Sequence, residues 1–156
     1  MYKVKMDGLT LYYPGDKEAV LTNPTLNLQT GYAGTFEFAV PPNNPLYNSI
    51  KNRSSMVSVF RDTTEIFYGE VRKQPKVDRY KNKNVYCAGA MSFLADSIQP
   101  QTEYHDMSPR QMLGSFLDIH NSQVDDRKKI YLGIVTITDA NDSLYRYTNF
   151  ENTLKA

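Results

Sequence analysis

In the first half of the chain, apolar and polar residues alternate with a period of two, the spacing of a half-buried strand. The run YKVKMDGLTLYY pivots on Asp7-Gly8, a dipeptide suited to a tight turn, so Val4 and Met6 are expected to pair back against Leu9 and Leu11. GTFEFAVPP sets Phe36 and Phe38 on one face until Pro41 and Pro42 stop the ladder. MVSVFRDTTEIFYGEV reads as a second hairpin, entered through Val57 and Val59, turned at residues 62–65 and returned over residues 66–71. Between the last two, NPLYNSIKN spells a short helical turn begun near Pro45, with Leu46 and Ile50 four residues apart.

The period then changes. NVYCAGAMSFLADS passes from a strand through Gly89 into a short helix carrying Phe93 and Leu94. One long helix follows, with Ser108 as N-cap, Pro109 at the first helical position and Gln111 completing a capping box. Met112, Leu113, Phe116, Leu117, His120 and Val124 form a single stripe along it. Past the charged turn DDRKK, the run IYLGIVTIT is a strand again, and DANDS turns the chain into LYRYTNF. Asn152 or Thr153 in the closing NFENTLKA is placed to cap another helix, so the sequence reads as a chain cut from a longer one. It has no internal repeat, low-complexity tract or flexible linker.

Composition narrows the function classes. A length of 156 residues fits one ordinary domain, or one plus the start of another, with a self-sufficient core. With 18 Lys+Arg against 17 Asp+Glu, the net charge of +1 sets up no field to gather phosphate or anionic lipid. No stretch has the length of a membrane span or a signal-peptide core. The lone Cys87 rules out an internal disulfide framework and suits assembly in a reducing cytoplasm, which makes the sequons at Asn52 and Asn141 chance occurrences. Twelve tyrosines without a tryptophan favour half-buried β surfaces and would also suit a sugar-binding platform.

The candidate chemistry is thin. Around His120 the positions that share a helix face hold Phe116, Leu117, Gln123 and Val124, and Asp118 points elsewhere, so no metal pair forms there. His120 is expected to close the buried stripe with its ring nitrogens hydrogen-bonded, Asn121 to help end the helix, and residues 125–129 to make a solvated turn. Asp139, Asn141 and Ser143 begin like a calcium loop, but Leu144 replaces its glycine and Phe150 its closing glutamate, which leaves a β-turn. Cys87, between Val85 and Gly89, reads as a small buried thiol; a Cys-His nucleophile would need His105 or His120. Asp62 with Glu65, and Asp125 with Asp126, read as turn decoration. No nucleophile elbow, P-loop or dinucleotide motif occurs. The composition-level reading is a mainly β, non-enzymatic chain of α+β type that acts through its surfaces, with no catalytic, cofactor-binding or metal residues and no cofactor.

Four motifs in order carry a resemblance: YAGTFEFAVPPNNPLYNSI, SSMVSVFRDTTEIFYGEV, CAGAMSFLADS, and HNSQV followed closely by LGIVTITDAN. Together they span nearly the whole chain, which resembles the N-terminal region of phage tail-tip or baseplate hub proteins, the tail-associated lysins or minor structural proteins of siphophages and prophages. The family pattern differs in having Asn near Gly31 or Tyr32, Glu at Ala88 and Arg at Glu70. The resemblance implies tail-tube-like β barrels with one long helix and short helical turns. Residues 1–106 would form a first hub barrel, and residues 107–156 would pack on it or begin a second. It further implies a homotrimer at the virion tail tip, assembled in the bacterial host cytoplasm. Its partners would be the distal tail protein and the tail tube or tape-measure protein. DNA would pass through the channel without specific binding, and no membrane segment is implied. The parent chain would continue into a host-binding or cell-wall-degrading part. The tyrosines of LYYPG, NPLY and SLYRY keep open a different class, a carbohydrate- or receptor-binding β module.

Overall fold

Asp7 and Gly8 adopt φ of 49° and 84°, the left-handed pair that a two-residue hairpin turn demands. They join β1 (Tyr2–Met6) to β2 (Leu9–Tyr12). Met6 faces Leu9 as alternation indicates, but a bulge passes over Leu11 and sets Val4 opposite Tyr12. Asp7 also ties this turn to the next strand in sheet order: its amide donates to the Met56 carbonyl at 2.9 Å, and its Oδ1 accepts from the Met56 amide at 2.9 Å.

The structure is a computed structural model that describes residues 1–139 and 141–156. Two units are distinct, Met1–Met91 and Ser92–Ala156. In the first, β3 (Thr22–Asn27), β4 (Thr35–Val40), β5 (Met56–Arg61), β6 (Thr64–Val71), β7 (Lys76–Val77) and β8 (Lys83–Gly89) join the opening hairpin. The antiparallel order is β2-β1-β5-β6-β8-β4-β3, with β7 added to β8. This sheet curls into a half-barrel that ends in β2 on one side and β3 on the other.

The concave side is filled by the alternating residues of each strand. Phe36 and Phe38 of β4 stack with ring centroids 4.8 Å apart, opposite Cys87 and Val85 of β8. Val4, Met6, Val57, Val59 and Val71 complete the buried layer. The expected helical turn is the 3₁₀ turn Tyr47–Ser49, flanked by buried Leu46 and Ile50. Asn44 beside it is buried and fully used: its Nδ2 donates to Leu11 O and Val20 O, and its Oδ1 accepts from the Leu46 amide.

Glycines set the tightest point of the curl. Gly69 of β6 faces Gly89 of β8, and a Cβ built on Gly89 would fall 1.8 Å from Ala33 O. One built on Gly69 would fall 2.3 Å from Ala88 O and 2.7 Å from the Phe67 ring. With Gly34, whose own Cβ would lie 3.9 Å from that ring, they form a seat without side chains under Phe67.

In the second unit, α1 (Pro109–Gln123) begins as expected. Ser108 Oγ accepts from the Gln111 amide, and the Gln111 side chain accepts from the Ser108 amide. Such a cap contributes about 1 kcal/mol. The helix packs on β9 (Thr102–Met107), where Phe116 meets Tyr104 edge-on at 5.3 Å, and β9 pairs antiparallel with β10 (Leu144–Thr148). Phe116, Leu117 and His120 are buried, but Leu113 of the expected stripe is 43% exposed. The helix thus buries a narrower face than its apolar count implied.

One expected element is absent. Residues 130–138 form no strand among the described residues, although IYLGIVTIT has the composition of one. A strand exists only where a partner backbone lies alongside, and none does here. Part of the turn expected after it, Ala140, lies outside the described residues.

Candidate functional site

His120, in the last turn of α1, is fully buried and uses both ring nitrogens. Its Nε2 lies 3.1 Å from Lys128 O, which can only accept, so Nε2 carries the proton. Its Nδ1 therefore accepts from Ser97 Oγ at 2.7 Å. Ser97 in turn accepts from Thr153 Oγ1 at 2.7 Å, and Thr153 accepts from Gln99 Nε2 at 2.8 Å. Gln99 Nε2 also donates to Phe116 O at 3.0 Å. One directed chain of hydrogen bonds thus runs from Gln99 through Thr153 and Ser97 to His120 and on to the Lys128 carbonyl.

A serine hydroxyl at hydrogen-bond distance from an imidazole is the start of a nucleophile-base pair. Here Ser97 is 1% exposed, its proton is committed to His120, and it already accepts from Thr153. The network holds the helix against the strand ends and does not present a reactive oxygen.

Two amides of the final helical turns act as stand-in strand partners. Asn121 exchanges a pair of hydrogen bonds with the Ile130 backbone, 2.9 and 2.8 Å, and Gln123 does the same with Ile98 at 2.9 and 2.8 Å. Asn121 thus ends the helical region by pinning the chain that leaves it. Lys128 Nζ meets Asp96 at 3.0 Å, so the turn after the helix is less solvated than its charges suggested.

The remaining sequence candidates do not converge. Burial pushes the Cys87 thiol well above its ordinary range, which removes the thiolate a nucleophile needs. Cys87 is therefore expected to resist a thiol-reactive maleimide in the native chain and to react fully in urea; quantitative native labelling would refute its burial. His105 pairs with Glu103 at 3.2 Å and rests against the Tyr145 ring. Asp118 is exposed. The Met1 ammonium beside Asp62 holds that carboxyl below the usual carboxylate range, and Lys129 does the same for Asp126. Asp125 caps the 3₁₀ turn Asp126–Lys128, and Asp139 Oδ2 accepts from the Ser143 amide and hydroxyl, as a turn residue does. Among the described residues, no three His, Cys, Asp or Glu side chains gather to hold a metal ion, and no helix is long and apolar enough to cross a membrane.

What the geometry offers is surface. The mouth of the half-barrel is an apolar groove of about 720 Å³, bordered by the sheet-end strands and lined by Tyr2, Leu26, Leu28, Phe36, Val59 and Ile66. Of the tyrosines that suggested a glycan platform, Tyr47 is occupied, its hydroxyl donating to Lys81 O and its ring facing Lys83 Nζ at 4.2 Å. Tyr145 stacks on His105, and Tyr147 accepts from Gln101.

No protein-family model and no curated protein sequence matches this chain. Solved structures do match. The tail protein of Neisseria meningitidis MC58 superposes with a TM-score of 0.53 at 12% identity, over 75% of this chain and 33% of that one. The 43 kDa tail protein of prophage MuSo2 from Shewanella oneidensis gives a TM-score of 0.47 at 15% identity, over 78% and 37%. The chain thus spans about a third of the length of these proteins, and over three-quarters of its own length it has the fold of part of the Neisseria tail protein.

Proposed function

We propose that this chain is a structural part of a phage or prophage tail, the hub region at the tail tip. In this reading it joins the tail tube and distal tail protein to a host-binding or cell-wall-degrading part. The observation that carries the reading is the fold, which over 75% of the chain is that of part of a solved tail protein. The four ordered motifs point the same way. A near-neutral charge suits a conduit wall, because a basic excess would hold passing DNA by counterion release. The burial of His120 and Cys87 and the turn contacts of Asp62, Asp125, Asp126 and Asp139 favour an architectural role over a catalytic one. The hub assembles in the host cytoplasm as a homotrimer around the tail axis.

Immunogold microscopy with antibodies raised against this chain tests the reading on intact particles. Label confined to the tail tip is the expected result. Label on the head, along the whole tail or nowhere on the particle refutes it. Saturable binding of cell-wall glycans by the isolated chain would support a carbohydrate-binding module instead.

A further inference from the structure

Charge along the chain is far less even than its total. The twelve residues 72–83, RKQPKVDRYKNK, hold six of the 18 Lys and Arg but one of the 17 Asp and Glu, a local charge of +5 that leaves −4 on the other 144 residues. They follow β6, form β7 and enter β8. Asp78 is committed inside the turn between those two strands: its Oδ1 accepts from the Tyr80 and Asn82 amides, each at 2.8 Å, and its carbonyl accepts from the Lys81 amide at 3.0 Å. The turn is therefore preformed, with Arg79 and Tyr80 at its tip. Arg72 is paired with Glu70, and Lys83 Nζ donates to Tyr47 O. Lys73, Lys76, Arg79 and Lys81 are exposed, and none of them forms a salt bridge among the described residues.

Lysines on an edge strand are common, and their charge alone would say no more. Here they surround two exposed apolar groups, Val77 at 58% and Tyr80 at 66%. Three of the four exposed cations are Lys, whose compact ammonium meets phosphate as a point charge, whereas a surface of fixed carboxylates is matched better by the fork of Arg. The Arg79 guanidinium lies 4.6 Å from the centre of the Tyr80 ring and covers one face of it, which obstructs the stacking that a nucleic-acid base requires. Cations, a tyrosine and an aliphatic side chain at one tip match the headgroup layer of an anionic bilayer, where tyrosine settles at the interface and each Lys or Arg adds attraction.

We infer that the turn at residues 76–81 docks on the surface of an anionic phospholipid bilayer. Val77 and Tyr80 enter the headgroup layer, and Lys73, Lys76, Arg79 and Lys81 face the lipid phosphates. The total charge of +1 conceals this surface, because such a contact is governed by charges within a Debye length, about 8 Å at physiological salt. The inference does not depend on where in a tail the chain sits.

Vesicle flotation tests it, with phosphatidylcholine vesicles containing about 30% phosphatidylglycerol set against phosphatidylcholine alone at about 0.1 M salt. At roughly five-fold per exposed cation, with Asp78 subtracting one, the unaltered chain should bind the anionic vesicles about 100-fold more tightly. Lys76→Gln combined with Lys81→Asn should weaken that binding about 25-fold. Asparagine suits position 81, where φ is 66°. Lys3→Gln combined with Lys5→Gln removes the same charge from β1, three strands from β8 in the sheet, and should weaken binding less than about three-fold. Because the chain has no tryptophan, Tyr80→Trp places a single reporter at the tip, and its emission should move to shorter wavelength with the anionic vesicles only. The substituted side chains of the turn are exposed, so these variants are expected to fold, which circular dichroism checks. Absence of binding to anionic vesicles overturns the inference, as does equal weakening by the turn and β1 variants or binding without the emission shift. Tighter binding of a single-stranded DNA of about 20 nucleotides than of the vesicles would make the turn a nucleic-acid surface and overturns it too.

Discussion

Replacing Gly89 by alanine is expected to destabilise the chain by at least about 3 kcal/mol, a large part of the total stability of an ordinary domain. The added methyl would sit 1.8 Å from Ala33 O, and the obstacle is backbone, which cannot rotate away as a side-chain tip can. Gly69, its cross-strand partner, is hemmed in by Ala88 O and the Phe67 ring, so the pair cannot relieve the clash by sliding. Gly114→Ala is the matched control. It lies inside α1 with nothing within 4 Å of the new atom, so it should gain about 0.5–1 kcal/mol from helix propensity. Urea titration of the two variants beside the unaltered chain measures both. A Gly89→Ala loss below about 1 kcal/mol would show that the strands can part at this point, and the glycine seat under Phe67 would lose its role.

His120→Ala is expected to cost about 3–5 kcal/mol, from the cavity left by a fully buried ring and from the polar groups it orphans. Ser97 Oγ would lose its short acceptor and keep only Leu94 O at 3.4 Å, and Lys128 O would lose its imidazole donor. The loss should be felt at points far apart in sequence, because Ser97, Thr153 and the turn after α1 share the network. Hydrogen exchange should therefore quicken at the amides of Gln99 and Thr153, which bond to Glu151 O and Ser97 O, while Val57 and Val85 in the half-barrel stay protected. A stability change under about 1 kcal/mol, or exchange that quickens only within α1, would mean that the network is incidental.

Much of the half-barrel, and the start of α1 in the second unit, was legible in residue order because the signals are local. Asp7-Gly8, the alternation around Phe36 and Phe38, and the Ser108-Pro109-Gln111 cap each specify a conformation within a few residues. The Cys87 reading holds for the same reason, since Val85, Cys87 and Gly89 on one face of β8 are all buried. Elements without such local signatures were not read. β3 is TNPTLN, with a proline and no alternation, and β9 is TEYHDM, which is mostly polar. Each is a strand because a neighbour pairs with it, β4 in one case and β10 in the other.

The polar interior was hidden for a related reason. Ser97, Gln99, His120 and Thr153 are ordinary surface residue types separated by up to 56 positions, and nothing in their spacing announces a shared network. Their burial is decided by what folds over them.

By itself the sequence determined a mainly β chain with one capped helix, a reduced buried cysteine and no local catalytic or metal motif, because propensity, turn chemistry and ligand spacing act over a few residues. Only the tertiary structure decided the order of the sheet, the glycine seat at its curl, the buried histidine network and the absence, among the described residues, of a strand partner for residues 131–138. Each of those depends on which backbone lies alongside which, and that is a relation between distant segments, carried by no single stretch of the chain.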